Sequence, residues 1–234
     1  MKIDTVTEAL SGNSYPGRGI IVGRSKDGSK SVIVYFIMGR SLNSRNRVFT
    51  EVEDGIMTEA YDPSKMSDPS LIIYHPVRFL RRCCIVTNGD QTDTIRNGLA
   101  AGKSFRHALL TREFEPDGPN YTPRISAIVL PDGSYKLSIL KSLYGDPSCC
   151  CRYFYEYDKP AAGVGHMIHT YKGDGEPLPS FEGEPKPVAV TGSLNEYANA
   201  VWGALDADNR VSLYACSIDR VTGETESIII NKYN

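Results

Sequence analysis

Residues 31–38, SVIVYFIM, decide the fold, because after the first serine the run is wholly apolar or aromatic. Side chains of this type favour strands, and the lack of polar alternation predicts a strand covered on both faces, as in a layered fold. Residues 19–23 (GIIVG) form a similar run, and the intervening residues 26–29 (KDGS) contain an Asp-Gly pair that favours a tight turn. The two runs therefore predict a hairpin at the start of the core.

Further elements extend outward from this hairpin. Apolar residues at helical spacing predict a helix over residues 93–111, broken near Gly102 and capped by Asp93 or Thr92, and a second helix over residues 193–205. Residues 160–187 are rich in glycine and proline and predict a long loop. Strand-like runs cover residues 48–62, 71–74, 82–87, 124–130, 135–140, 151–158, 211–219 and 226–233. Strands with interspersed helices predict an α/β or α+β layered structure, and we expect residues 1–234 to form one domain.

Composition excludes several classes of protein. Of the 234 residues, 41% are hydrophobic and 23% are charged, which argues against disorder. The formal net charge of −2 provides no overall field for nucleic acid or an anionic membrane, so neither is an expected partner. No signal-peptide pattern or membrane-spanning run is present, which predicts a cytoplasmic protein. The six cysteines form no CxxC pair and are expected to be reduced thiols.

Two polar clusters are candidates for binding an anion. Arg40, Arg45, Asn46 and Arg47 follow the most apolar strand, and guanidinium groups suit a phosphate because each donates several hydrogen bonds in one plane. A solvated basic turn is the alternative. Residues 87–94 (TNGDQTDT), which include Asn88, Asp93 and Thr94, join a strand to a helix, where free amides can face an anionic or carbonyl oxygen. An Asx-rich turn is the alternative there.

Two further clusters carry titratable groups. Glu113 and Glu115 would share a face of an extended segment, and their mutual repulsion would raise the pKa of one of them, as a general acid or base requires. Ordinary surface acids are the alternative. His166 and His169 would bind a metal only on a helix with a third ligand, and flanking glycines argue against a helix. Hydrogen bonding by His169 and base stacking on Tyr171 or Phe181 are favoured over a metal site, with ordinary loop packing as the alternative.

Taken in order, several short motifs resemble the archaeal-type IMP cyclohydrolases. They are residues 15–18 (YPGR), 39–41 (GRS) with 46–47 (NR), 86–89 (VTNG) with 92–95 (TDTI), and 122–125 (TPRI). The resemblance spans roughly residues 15–130, and residues 166–185 look like a feature of bacterial members. It implies the α+β, four-layer αββα sandwich of N-terminal nucleophile hydrolases. Residues 15–18 offer no Thr, Ser or Cys and other residues precede them, so we expect the sandwich without its autoprocessed nucleophile.

The resemblance also implies a reaction. A formylated aminoimidazole carboxamide ribonucleotide would close to inosine monophosphate, its carboxamide nitrogen attacking its own formyl carbon, with no cofactor and no metal. The implied catalytic residues are Tyr74, as donor to the formyl oxygen, and Glu113 or Glu115, as the proton carrier organised by Arg124. The implied phosphate ligand is Arg18, Arg45 or Arg47, with Arg40 and Asn88 near the base. The motifs add Asn46, Asp93 and Thr94 as substrate-binding residues, and the glycine-rich cluster described above adds His169 and Tyr171.

Two other functions stay open on sequence grounds. One is an amide hydrolase of the N-terminal nucleophile type, which would need a free Ser, Thr or Cys terminus. The other is a purine-nucleotide-binding module without turnover. The sequence also leaves homo-oligomer formation open.

Overall fold

The computed structural model describes residues 3–66, 69 and 72–233. The strands in chain order are β1 (Arg18–Arg24), β2 (Lys30–Met38), β3 (Arg47–Val52), β4 (Gly55–Ala60), β5 (Val77–Leu80), β6 (Cys83–Thr87), β7 (Arg124–Val129), β8 (Tyr135–Leu143), β9 (Asp146–Tyr157), β10 (Val164–His169), β11 (Lys186–Ala189), β12 (Arg210–Asp219) and β13 (Thr225–Asn231). The helices are α1 (Val6–Leu10), α2 (Leu42–Arg45), α3 (Gln91–Ala100), α4 (Phe105–Leu109) and α5 (Leu194–Ala204), with a 3-10 turn at Pro63–Lys65.

The strands form two antiparallel sheets, which confirms the predicted α+β class. The first sheet has six strands in the order β11-β10-β1-β2-β12-β13, and the second has seven in the order β3-β4-β5-β6-β7-β8-β9. The predicted hairpin of β1 and β2 lies in the middle of the first sheet, with Ile20 opposite Tyr35. Strand β2 is buried from Ser31 to Met38, as its continuous apolar sequence predicts.

Three apolar clusters arrange these elements in layers. Ile33, Tyr35 and Ile37 of β2 face the second sheet, within a core shared by both sheets. The alternate residues Val34 and Phe36 face the opposite way, toward α1 and α5. A third cluster packs α3 and α4 on the outer face of the second sheet. The order is thus helix, sheet, sheet, helix, as expected for an αββα sandwich.

The helices differ from the sequence prediction in their boundaries. The predicted break near Gly102 is confirmed, because α3 ends at Ala100 and α4 begins at Phe105, with Gly102 at a φ of 78°. The predicted cap is wrong: α3 begins at Gln91, so its N-cap is Asp90 and not Asp93 or Thr92. None of the helices in the described part of the chain is long and apolar enough to cross a membrane.

Two other predictions require correction. Ile72–Tyr74 form a turn and not a strand, because the backbone N–H of Ile72 bonds back to Pro69; Leu71 lies outside the described residues. Residues 160–187 are not one long loop, because they contain β10 and the start of β11. Gly165 lies opposite Gly23 of β1, so here glycine permits close strand pairing and does not mark a loop. All six cysteines are free thiols, as predicted.

Candidate active site

The polar motifs of the sequence meet at one end of the sandwich. Arg18 begins β1 beside the end of β2, and Arg124 begins β7 beside the end of β6. Asn88 follows β6 directly, and Arg47 begins β3. Because neighbouring strands are antiparallel, the start of one strand and the end of the next lie at the same end of the sheet. Both sheets contribute side chains to this end.

A buried ion pair lies at this end. Nη2 of Arg18 is 3.6 Å from Oε2 of Glu115, and the Glu115 side chain is only 2% exposed. Burial raises the pKa of the Glu115 carboxyl, although the charges of Arg18 and Arg124 act in the opposite direction. Nε of Arg18 is buried and has no hydrogen-bond partner among the residues described. The site therefore holds a buried carboxyl with a raised pKa beside a cationic donor that has no hydrogen-bond partner among the residues described.

Tyrosine hydroxyls surround the ion pair. The hydroxyls of Tyr35 and Tyr74 are 2.8 Å apart, and both side chains are buried. The backbone N–H of Tyr74 donates to Oγ1 of Thr58 at 2.9 Å, which fixes the turn that carries this tyrosine. Arg18 and Arg47 lie close enough to oppose the rise in the pKa of Tyr35 that burial causes. The paired hydroxyls thus sit in a positive environment.

Asn88 and Arg124 belong to one hydrogen-bond network. Oδ1 of Asn88 accepts from the N–H of Ile125 at 2.8 Å and from Nε2 of Gln91 at 3.0 Å, while Nδ2 lies 3.5 Å from Oε1 of Glu115. Nη1 of Arg124 donates to Oε1 of Gln91 at 2.6 Å. A Cβ on Gly89 would lie 2.6 Å from Nη1 of Arg124 and 2.7 Å from Oε1 of Gln91, so a larger residue here would displace both side chains of the network. The network holds Asn88 against the carboxyl of Glu115.

Residues 171–181, here called the strap, connect the two sides of the site. Nη1 of Arg40 is 2.6 Å from Oδ1 of Asp174, and the Arg40 guanidinium lies 5.1 Å from the ring centroid of Tyr15. Tyr15 stacks on Tyr171 with a centroid distance of 5.8 Å. The hydroxyl of Tyr171 makes a short hydrogen bond to Oγ1 of Thr122, and burial raises the pKa of Tyr171 to about 12.

The other end of the strap bonds to the segment that connects α4 to β7. The N–H of Leu178 donates to Oδ1 of Asn120 at 3.0 Å, and Tyr171 forms an isolated antiparallel bridge with Ser180. Cavities of about 640 Å³ and 400 Å³ lie along the strap. The smaller is lined in part by His169 and Phe181, and the larger by Asn120 and Leu178.

Several predicted site residues lie apart from the ion pair. Arg45 donates from Nε to the carbonyl of Gly39 and from Nη2 to Oδ1 of Asn209, each at 2.9 Å. Asn46 bonds to the backbone N–H and C=O of Asp62, each at 2.8 Å. These contacts hold the chain around α2.

The other separated residues are on α3 and in the segment before β7. Asp93 bonds to Nη1 of Arg78 at 2.8 Å, and Thr94 follows it on the helix. The structure separates the two predicted glutamates: the Glu113 side chain is 66% exposed and lies 3.7 Å from Arg152. Burial, and not repulsion by Glu113, is therefore the main cause of the raised pKa of Glu115.

The two histidines point in opposite directions because they are three residues apart on β10. Nδ1 of His166 lies 2.6 Å from the hydroxyl of Tyr135. Nδ1 of His169 donates to the carbonyl of Tyr171 at 2.7 Å, and its ring meets that of Phe181 edge-on at 4.6 Å. Across residues 3–66, 69 and 72–233, no group of three or more His, Cys, Asp or Glu side chains is placed to hold a metal ion.

Sequence reasoning missed two members of the site. Tyr35 lies within the apolar run of β2, which predicts only a core residue, and Gln91 lies within the polar turn of residues 87–94. The hydroxyl of Tyr35 was a usable signal, because a buried tyrosine hydroxyl requires a partner. Gln91 carried no comparable signal, since its role depends on Arg124 arriving from a strand far along the chain.

Comparison with known proteins identifies similar sequences. The profile of a family described as IMP cyclohydrolase-like protein matches residues 15–223. A Methanopyrus kandleri protein named IMP cyclohydrolase is 29% identical over 170 residues, 71% of this chain and 79% of that protein. Proteins of the same name from Methanococcus maripaludis (strain C7) and Methanosphaera stadtmanae are 32% and 30% identical, over 52% and 54% of this chain. The chain spans 61% and 63% of the length of those two relatives.

Burial lowers the pKa of His169 to about 4, which predicts a pH-dependent loss of stability. The unfolded chain binds this proton near pH 6.5 and the folded chain only near pH 4, so stability falls as pH decreases between those values. We expect His169 to account for about 3 kcal/mol of that loss. Urea unfolding of wild type and His169→Gln at pH 7 and pH 4 measures it. Equal losses in the two proteins would contradict the assignment.

Proposed function

The chain belongs to the IMP cyclohydrolase-like family, and we propose on this basis that it converts 5-formamidoimidazole-4-carboxamide ribonucleotide to inosine monophosphate with loss of water. The observation that carries the proposal is the buried pair of Arg18 and Glu115 beside the hydroxyl pair of Tyr35 and Tyr74. All four residues lie within the matched span. We assign residues 1–234 to a single domain, since both sheets share the core that positions these side chains.

The reaction demands positioning more than a nucleophile from the protein. The carboxamide nitrogen of the substrate forms a bond to its own formyl carbon and gives up one proton. The formamido nitrogen gives up a second proton as the carbon–oxygen bond breaks and a carbon–nitrogen double bond forms, so the formyl oxygen leaves as water. An amide nitrogen is a weak nucleophile, so the substrate must be held in attack geometry while negative charge on the formyl oxygen is stabilised. A site rich in fixed cations and hydroxyls fits both requirements.

Tyr74 is the proposed donor to the formyl oxygen. Tyr35 and Tyr74 have two hydroxyl protons, and one of these occupies the hydrogen bond between them. The other proton is free to reach a substrate oxygen. The nearby charges of Arg18 and Arg47 would stabilise the oxyanion as it forms, and they stay positive because guanidinium groups do not lose their proton in proteins.

Glu115 is the proposed proton carrier, and Glu113 is not. A general acid or base works best when its pKa lies near the working pH, and burial moves the pKa of Glu115 upward, in that direction. Asn88 and Arg18 contact this carboxyl directly, and Arg124 acts on it through its charge. The carboxyl would accept a carboxamide proton and return one to the departing water.

Substrate binding is assigned to the arginines and to the aromatic side chains beside them. Arg47 uses Nε and Nη2 to bond the carbonyls of Ser44 and Met38, which fixes the plane of its guanidinium. Arg40 lies over the ring of Tyr15. Arg18 and Arg47 are proposed for the phosphate and the developing charge, and Arg40 is proposed for the base edge. The other proposed substrate-binding residues are Asn88, His169 and Tyr171.

A ring-closure assay tests the proposed function. Purified protein mixed with the formylated ribonucleotide should form inosine monophosphate, followed by ultraviolet absorbance and confirmed by chromatography. Release of formate with return of the amino compound would instead identify an amide hydrolase. Binding of inosine monophosphate without ring closure would identify a binding module and contradict the proposal.

The two glutamates provide a matched test of the proton carrier. Glu115→Gln should lower kcat by about 10²-fold or more, because it removes the group that transfers the proton. Glu113→Gln makes the same chemical change on an exposed side chain and should leave kcat unchanged. Steady-state kinetics of both variants measure the difference. Wild-type turnover in Glu115→Gln would remove this residue from the mechanism.

Tyr74→Phe should lower kcat by roughly 10- to 1,000-fold with a smaller change in KM, since an oxyanion donor acts mainly in the transition state. The control is Tyr61→Phe, which removes a hydroxyl from a half-exposed tyrosine stacked on Tyr233. The control should keep wild-type kinetics. Equal kcat values for both variants would argue against the proposed donor.

A further inference from the structure

The two sheets have four edge strands, β3, β9, β11 and β13, and groups from outside the sheet bond to the backbone of β3 at Phe49 and of β11 at Ala189. Asp4 pairs with β11, where the N–H of Ala189 donates to its carbonyl at 2.8 Å, and β11 also contains Pro187. Strands β3 and β13 lie side by side, because the Asn231 side chain bonds both the N–H and the C=O of Phe49, at 2.9 Å and 3.1 Å. Edge strands expose unpaired amides, so such coverings prevent unwanted association.

Strand β9 is the remaining edge. It is 12 residues long, and residues 149–157 contain neither proline nor glycine. The register of its pairing with β8 shifts near the start of β9, between Ser142 and Leu143 of β8. No described residue other than those of β8 makes a backbone hydrogen bond to β9. Pro147 and the shift in register interrupt the start of β9, but from Cys149 to Tyr157 the strand presents the outer N–H and C=O groups of a regular edge.

In one register the side chains of β9 are complementary to a second copy of the strand. Within its own chain Arg152 donates to the carbonyl of Arg112 at 2.9 Å, and Glu156 lies 2.8 Å from Lys136, so a partner strand would share these charges. Arg152, Phe154 and Glu156 are alternate residues and therefore lie on one face of the strand. If a second copy pairs antiparallel about Phe154, Arg152 lies opposite Glu156 of the partner subunit, and Glu156 lies opposite the partner subunit's Arg152. Opposite charges and aromatic pairs across antiparallel strands are stabilising. On the other face, the same register places Tyr153 opposite Tyr155 of the partner subunit.

We propose that two copies of this chain associate through β9, antiparallel about a two-fold axis at Phe154, to form one continuous sheet. The occupant of the edge is a second copy because the charge pattern is complementary to itself in this register. Lys136 of β8 lies 2.8 Å from Glu156, so the interface would carry a row of alternating charges. The inference concerns association and does not depend on the proposed reaction.

Charge reversal tests the register. Glu156→Arg places arginines opposite each other at both symmetric contacts, and Arg152→Glu does the same with glutamates. Each variant should weaken dimer formation by at least about tenfold. The two variants mixed in equal amounts should form a heterodimer, because every contact then joins opposite charges. Glu226→Arg, at an exposed acid of β13 paired with Lys30 at 3.4 Å, is the matched control and should dimerise like wild type.

Sedimentation equilibrium over a range of concentrations measures the association, and native mass spectrometry distinguishes the heterodimer. Circular dichroism establishes that each variant is folded, and the double variant Arg152→Glu with Glu156→Arg repeats the test within one chain. A wild-type protein that stays monomeric would overturn the proposal. So would dimerisation that neither reversal weakens, or folded variants that fail to associate when mixed.

Discussion

Burial of positive charge at one end of the shared core is the constraint on which the site depends. Removing a guanidinium from water costs several kcal/mol unless partners replace the lost hydration. Arg18 has Glu115 beside it, and Arg47 bonds to two backbone carbonyls. Ser44 and Met38 lie close to Arg47 in the chain, but Glu115 comes from the segment before β7 and meets Arg18 only when the two sheets stack. The ion pair of Arg18 and Glu115 is thus formed in the complete sandwich and not in either sheet alone.

The same arrangement explains why some side chains of a strand pack only in the core and others reach the candidate site. Along β2, alternate side chains serve two cores, with Phe36 facing helices and Tyr35 facing the second sheet. Only Tyr35 has a polar atom that reaches the site. Similarly, β6 is buried in the core until its end, where Asn88 turns to Glu115. The sheet interiors provide rigidity, and their ends provide the reactive groups.

Local patterns in the sequence predicted the central hairpin, the layered class and the group of arginines near β2, because each depends on neighbouring residues. They did not distinguish Glu115 from Glu113, since burial depends on the path of the chain between α4 and β7. They also missed β10, whose glycines look like loop residues until Gly165 is placed opposite Gly23. The family motifs noted near residues 15–130 did not extend to Tyr171, although the family match reaches residue 223.

The strap has a consequence for the speed of a reaction at this site. It is tied to Arg40 through Asp174, to Thr122 through Tyr171 and to Asn120 through Leu178. Tyr171, at one end of the strap, lies close enough to Arg18 and Glu115 for their charges to act on its hydroxyl, so the strap borders the buried ion pair. The opening of such a segment occurs on microsecond to millisecond timescales and often limits turnover. For the proposed reaction, the three contacts of the strap would then help to set the rate at which a nucleotide is exchanged.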